Sequence, residues 1–201
     1  MQNLINYYRF LFKDNAQWFK VVLVWFIVTA LAGAITFVYY PSLVGKIIAG
    51  FQEKFGRSPA LDINLALQIF IQNVIASGVA LFGGIVLGLG SLFIVAVNGF
   101  LIGYIITWLL SNQSASGHSL VLILGGLVPH GILELPAFLI AAAIGLRLGW
   151  EWMSENAKNN RWPIFRKNLK LALLSFPAIV LILFIAALIE VFVSGWVVNN
   201  L

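Results

Sequence analysis

Residues 21–40, VVLVWFIVTALAGAITFVYY, decide the fold. The run carries no charged residue, and at 1.5 Å per residue it is about as long as the 30 Å hydrocarbon core of a bilayer is thick. A membrane β-strand would alternate polar and apolar residues over about ten positions. Here the apolar character is continuous, so the backbone must satisfy itself within the segment, as a helix does. Outward from this run the rest of the chain agrees with it. Of 201 residues, 61% are hydrophobic and 9% charged, and the mean hydropathy is +0.98. A soluble domain needs about a quarter of its residues charged. Most of this surface must therefore face lipid, and the expected class is all-α: a polytopic transmembrane bundle forming one domain over residues 1–201.

The same reading places the elements. Residues 1–17 read as an amphipathic interfacial helix, with Leu4, Ile5, Tyr8, Leu11 and Phe12 at helical spacing. The first span covers 18–40 and ends at Pro41. Residues 41–64 are a polar connection in which Pro59 and Asp62 suit the start of a helix. The apolar stretch 65–110 is about two bilayer thicknesses long and must fold back once. Gly88, Gly90 and Ser91 are the expected turn, giving spans near 66–88 and 92–111. The fourth span, 119–149, contains Pro129 and Pro136. It is either one kinked helix or a half-helix over 120–128 followed by a second helix from His130. A basic connection, 150–170, precedes the last span, 171–198.

Five spans satisfy the positive-inside rule. Arg9, Lys13 and Lys20 precede the first span and Lys158, Arg161, Arg166, Lys167 and Lys170 follow the fourth, so both groups fall on one side. The expectation is a multi-pass cell-membrane protein with the N-terminus and the 150–170 loop cytoplasmic and the C-terminus outside. No cleavable signal peptide is evident, because the apolar run is too long for one. The net charge of +5 fits anionic lipid rather than nucleic acid. With no cysteine, disulfides and thiolate chemistry are excluded.

Ionisable groups at membrane depth cost roughly 2.5–3.5 kcal/mol each, so the few present are informative. His130 and Glu134 are spaced i, i+4 and share a helix face, where a carboxylate can fix the imidazole tautomer, relay a proton or share a cation. The bland alternative is that they only fix packing. Glu190 reads as a partner for His130 or Arg147, or as an interfacial acid. Arg147 reads as a side chain snorkelling to the interface, with a buried ion pair as the alternative. Asn73 and Asn98 bond across helices, as packing glue or as ligands. Gly99 and Gly103 make a GxxxG, a spacing that also serves homodimers. Asn73/His130, Ala80/Ala137 and Gly88/Gly145 recur 57 residues apart, the pattern of a relic repeat or of chance. His130 and Glu134 are candidate metal ligands. A zinc site would need a third, for which Glu190 or His118 are the choices.

Three segments carry a family resemblance. LVPHGILELPAFLIAAAIGLRLG (127–149), QNVIASGVALFGGIVLGLGSLFIVAVNGFLIG (72–103) and ALIEVFVS (187–194) resemble the stage II sporulation protein M family, and the resemblance spans most of the chain. It implies that Asn73, Asn98, His130, Glu134 and Glu190 are the family's polar positions, and that the chain has a role in the membrane envelope beside protein partners. It implies no reaction. Two functions are expected to compete. One is ion- or proton-coupled transport through a His/Glu site holding a bound cation and no organic cofactor. The other is a non-enzymatic scaffold recruiting envelope partners for sporulation or peptidoglycan remodelling. An intramembrane metal hydrolase is the least favoured reading.

Overall fold

The computed structural model describes residues 2–55, 62–111, 128–154 and 159–194. Side chains are described from 15 in the first stretch (48 and 51–55 aside), from 131 in the third and up to 192 in the last. Six α-helices make up the described fold: α1 Gln2–Tyr39, α2 Leu43–Phe55, α3 Ile63–Phe82, α4 Leu89–Ser111, α5 Val128–Met153 and α6 Arg161–Ile189. A 3₁₀ turn, Gly83–Ile85, follows α3, and a π-helical turn, Glu190–Ser194, continues α6. There is no strand among the described residues. Five helical segments are long and apolar enough to cross a membrane: Asn15–Tyr39, Ile63–Ile85, Leu89–Ser111, Gly131–Met153 and Arg161–Phe192.

The element boundaries have local causes. No break separates residues 1–17 from the first span; both lie in the single helix α1. The first connection is not all loop, since it holds the amphipathic α2. Asp62 caps α3 by accepting a hydrogen bond from the Leu65 amide at 2.9 Å. That bond holds its carboxyl below the ordinary value of 3.8. The fold-back falls at residues 86–88, where Leu87 (φ 55°) and Gly88 (φ 76°) are left-handed. The φ of Gly88 favours glycine, and a Cβ there would also strike the Leu146 side chain.

Neither proline interrupts the helix over residues 128–153. Pro129 is the second residue of α5, where a missing N–H costs nothing, and the helix continues through Pro136. A half-helix over 120–128 lies, but for residue 128, outside the described residues, as does His118. The basic connection is shorter than 150–170. Arg161–Lys170 already form the first turns of α6, because Pro163 sits where the first amides of a helix have no partners to lose.

Chain order makes the spans alternate, so one end of the bundle gathers the start of α1, the 86–88 turn, the end of α5 and the start of α6. Helices α1 and α4 run parallel and pack most extensively. Trp25 Nε1 donates to Leu92 O at 3.0 Å near one end, and Tyr104 Oη donates to Tyr40 O at 2.7 Å near the other. Between them, a Cβ on Gly103 would strike Ala30 O, one on Gly99 the Thr29 hydroxyl, and one on Gly33 Phe100 O. The GxxxG therefore closes an interface inside the chain, which removes it as an argument for a homodimer. In lipid, such close backbone approach supplies the dispersion contacts that hold helices together. The 57-residue repeat is not carried by the fold: Gly88 lies in a turn, whereas Gly145 lies within α5.

Helix α5 is central. In its most apolar window 61% of the residues are buried, against 33% or less in the other spans. Ala137, Ala141, Ala142 and Ala143 keep its girth small, letting α1, α3, α4 and α6 approach it.

Candidate functional site

The polar residues are positioned by one seam. Helices α3 and α5 run parallel and in close contact: a Cβ on Gly145 would strike Ala80 O, and one on Gly149 would strike Gly84 O. Ser91 of α4 joins them, its hydroxyl donating to Ala80 O at 2.6 Å. Away from this glycine clasp the same faces become polar. On α3, Asn73 and Ser77 share the face of Ala80 and Gly84 by helical spacing; on α5, Glu134 shares the face of Gly145 and Gly149. On α4, Asn98 lies two turns from Ser91 on the same face. In this register Asn73 and Asn98 are about level, and Glu134 lies about one turn further from the clasp.

These groups are enclosed. Asn73 Nδ2 and Ser77 Oγ are buried with no hydrogen-bond partner among the described residues. Each such group costs about 1–3 kcal/mol. Glu134 Oε2 is likewise shielded from solvent. The Asn98 amide turns to its own helix, donating to Ile94 O at 2.9 Å. His130 occupies the helical position one turn outward from Glu134, while its imidazole lies outside the described residues. Glu190 opens the π-helical turn, and its neighbour Val191 packs on Leu65 and Ala66 at the start of α3. Glu190 therefore sits at the outer end of the seam, about level with the His130 backbone. By helical register Asn73, Asn98 and Glu134 fall on the faces that line one three-helix seam, and the His130 and Glu190 positions lie beyond them toward its outer end, the mouth. Among the described residues, no three His, Asp or Glu side chains are gathered as a metal would need.

Arg147 does not snorkel. It is 5% exposed, and its Nε lies 3.0 Å from Glu151 Oε1, while Nη1 donates to Asn15 Oδ1 at 2.9 Å. Glu151 Oε2 accepts from Asn168 Nδ2 at 2.9 Å. Asn15, Arg147, Glu151 and Asn168 thus tie α1, α5 and α6 at the end opposite the seam's mouth. The i, i+4 spacing of Arg147 and Glu151 is legible in the sequence; the two asparagines, far away in the chain, are not. Ser77 was also legible, one turn from Asn73.

Charge is divided between the ends. Among the described side chains, Lys20, Arg147, Arg161, Arg166, Lys167 and Lys170 lie at or near the network end with Glu151, whereas Asp62, Glu134 and Glu190 lie toward the other, with Lys46. Four apolar helices around a central fifth define a polytopic α-helical membrane protein. The chain belongs to the stage II sporulation protein M family, which matches residues 22–195. It is also similar to an uncharacterized protein of Methanocaldococcus jannaschii, at 32% identity over 137 residues, 68% of this chain and 74% of the relative. No solved structure matches.

Proposed function

We propose that the chain transports a proton or a small cation, with Glu134 as the group that takes it up. One observation carries this reading: on the most buried helix, Glu134 lies on the interface face with its Oε2 enclosed, and α3 presents Asn73 and Ser77 along the same seam with unsatisfied polar atoms. Unsatisfied polar groups beside an intramembrane carboxylate are costly unless a ligand or proton uses them. His130 at the mouth would accept and pass on the proton, and Glu190 would raise the local cation concentration. Between Glu134 and Arg147, α5 offers only LPAFLIAAAIGL, about 18 Å of apolar wall. A site closed toward one side is what each end state of alternating access requires. In liposomes holding the purified chain, an imposed pH or cation gradient should drive flux, and Glu134→Gln should lower it about tenfold or more, the scale of 1.4 kcal/mol. No flux under any gradient would sink the reading.

A second reading, a scaffold for cell-envelope partners, is favoured by α2. This amphipathic helix makes no substantial packing contact with any other described helix. The family's sporulation name points the same way. A photo-crosslinker at Ile47 in native membranes should then capture envelope proteins; recovering the chain alone would count against it.

A further inference from the structure

A lateral groove between α1, α5 and α6, with a cavity volume of about 370 Å³, lies apart from the seam. It exists because Ala16, Ala137, Ala143 and Ala178 stand where larger side chains would fill the space. Its composition changes along its length. Asn15 and Lys20 stand nearest the network end of its lining, Ser175 and Ile140 follow about level with one another, and Ile179 and Ile182 lie further toward mid-bundle. From Ser175 to Ile182 is two turns of α6, about 10 Å. Ser175 is 8% exposed, lines the groove, and its Oγ has no hydrogen-bond partner among the described residues. A serine within a helix ordinarily returns its hydroxyl to the preceding turn. Its Oγ is itself enclosed, and the surface that the groove presents is almost wholly apolar.

We propose that the groove is a binding site for an anionic phospholipid, with the phosphate at Lys20, at the rim, and the first part of an acyl chain along Ile140, Ile179 and Ile182. A cation at the rim followed by a hydrocarbon wall repeats the order of headgroup and acyl chain in the lipid. The cation excess at this end, with Lys20, Arg166 and Lys170 all exposed, favours an anionic over a zwitterionic headgroup. Arg166 lies over the Trp162 ring at 4.7 Å, so this end also carries an amphipathic aromatic of the kind that settles among headgroups. The assignment does not depend on the transport reading.

The test is lipid titration of the delipidated full chain in detergent, read by native mass spectrometry, with phosphatidylglycerol and phosphatidylcholine of matched chains. The parent chain should bind phosphatidylglycerol about tenfold more tightly than phosphatidylcholine. Ala178→Phe fills the groove at a half-buried position and should abolish the tight site for both lipids. Lys20→Gln, at an exposed position that folding does not need, should remove the preference for phosphatidylglycerol while leaving phosphatidylcholine unchanged. Equal binding of the two lipids by the parent chain would overturn the assignment. So would an unchanged headgroup preference in Lys20→Gln, and so would undiminished tight binding in Ala178→Phe.

Discussion

Arg147 illustrates how much one residue depends on what surrounds it. A guanidinium one turn from a chain's basic segment reads as a snorkelling anchor, because its stem is long enough to reach water. Burial reverses that reading: Glu151 supplies the opposite charge from one turn along α5, and Asn15 and Asn168 complete the set from α1 and α6. Buried ion pairs add little net stability when intact, but removing one partner strands the other charge at a cost of about 3–5 kcal/mol. Glu151→Ala should therefore destabilise the chain by about that much, whereas Arg147→Met with Glu151→Leu should cost clearly less. Thermal unfolding of the purified variants in detergent checks both. Equal losses in the two would mean that the network is valued for packing rather than charge.

At the scale of elements, the glycines divide into two groups that the sequence does not distinguish. Gly103 meets the Ala30 carbonyl, and Gly145 the carbonyls of Ala80 and Leu81, so neither can accept a Cβ without moving a neighbouring backbone. Gly45 in α2 has nothing within 4 Å of where its Cβ would be. Gly103→Ala should destabilise by about 1–3 kcal/mol through overpacking. Gly45→Ala should be neutral or stabilise by about 0.5–1 kcal/mol, the helix cost of glycine. The difference in unfolding temperature between these two single-methyl additions measures how tightly α1 and α4 are closed. The span pattern itself was legible: the turn expected at Gly88–Ser91 falls at 86–88, within the reach of the Gly88 signal. The extent of α6 was not, because Arg161–Lys170 is polar enough to read as loop and is helical as the first turns of a long span.

For the whole molecule, the alternating spans convert charge counts into an orientation. The network end holds most of the described cations, and the positive-inside rule predicts that this end faces the cytoplasm. The absence of cysteine makes the expectation easy to check by labelling single cysteines. In intact cells an impermeant thiol reagent should modify Asp62→Cys and leave Lys170→Cys unmodified until the membrane is opened. The reverse pattern would invert the molecule and put the seam's mouth on the cytoplasmic side.

The sequence by itself determined that this chain is a bundle of about five membrane helices, since continuous apolar runs of bilayer length leave the backbone no alternative. It also singled out Asn73, Asn98, Glu134, His130 and Glu190, because polar groups are conspicuous where lipid is the solvent. It could not say how they are arranged, since side chains from separate helices meet only through helix register, and that register is set by the glycine contacts at Ala80, Gly84, Ser91, Gly145 and Gly149. Only the tertiary structure decided which helix faces meet, that Arg147 belongs to a network at the far end, and that the GxxxG is used within the chain. Each depends on contacts between residues distant in sequence, which local spacing does not encode.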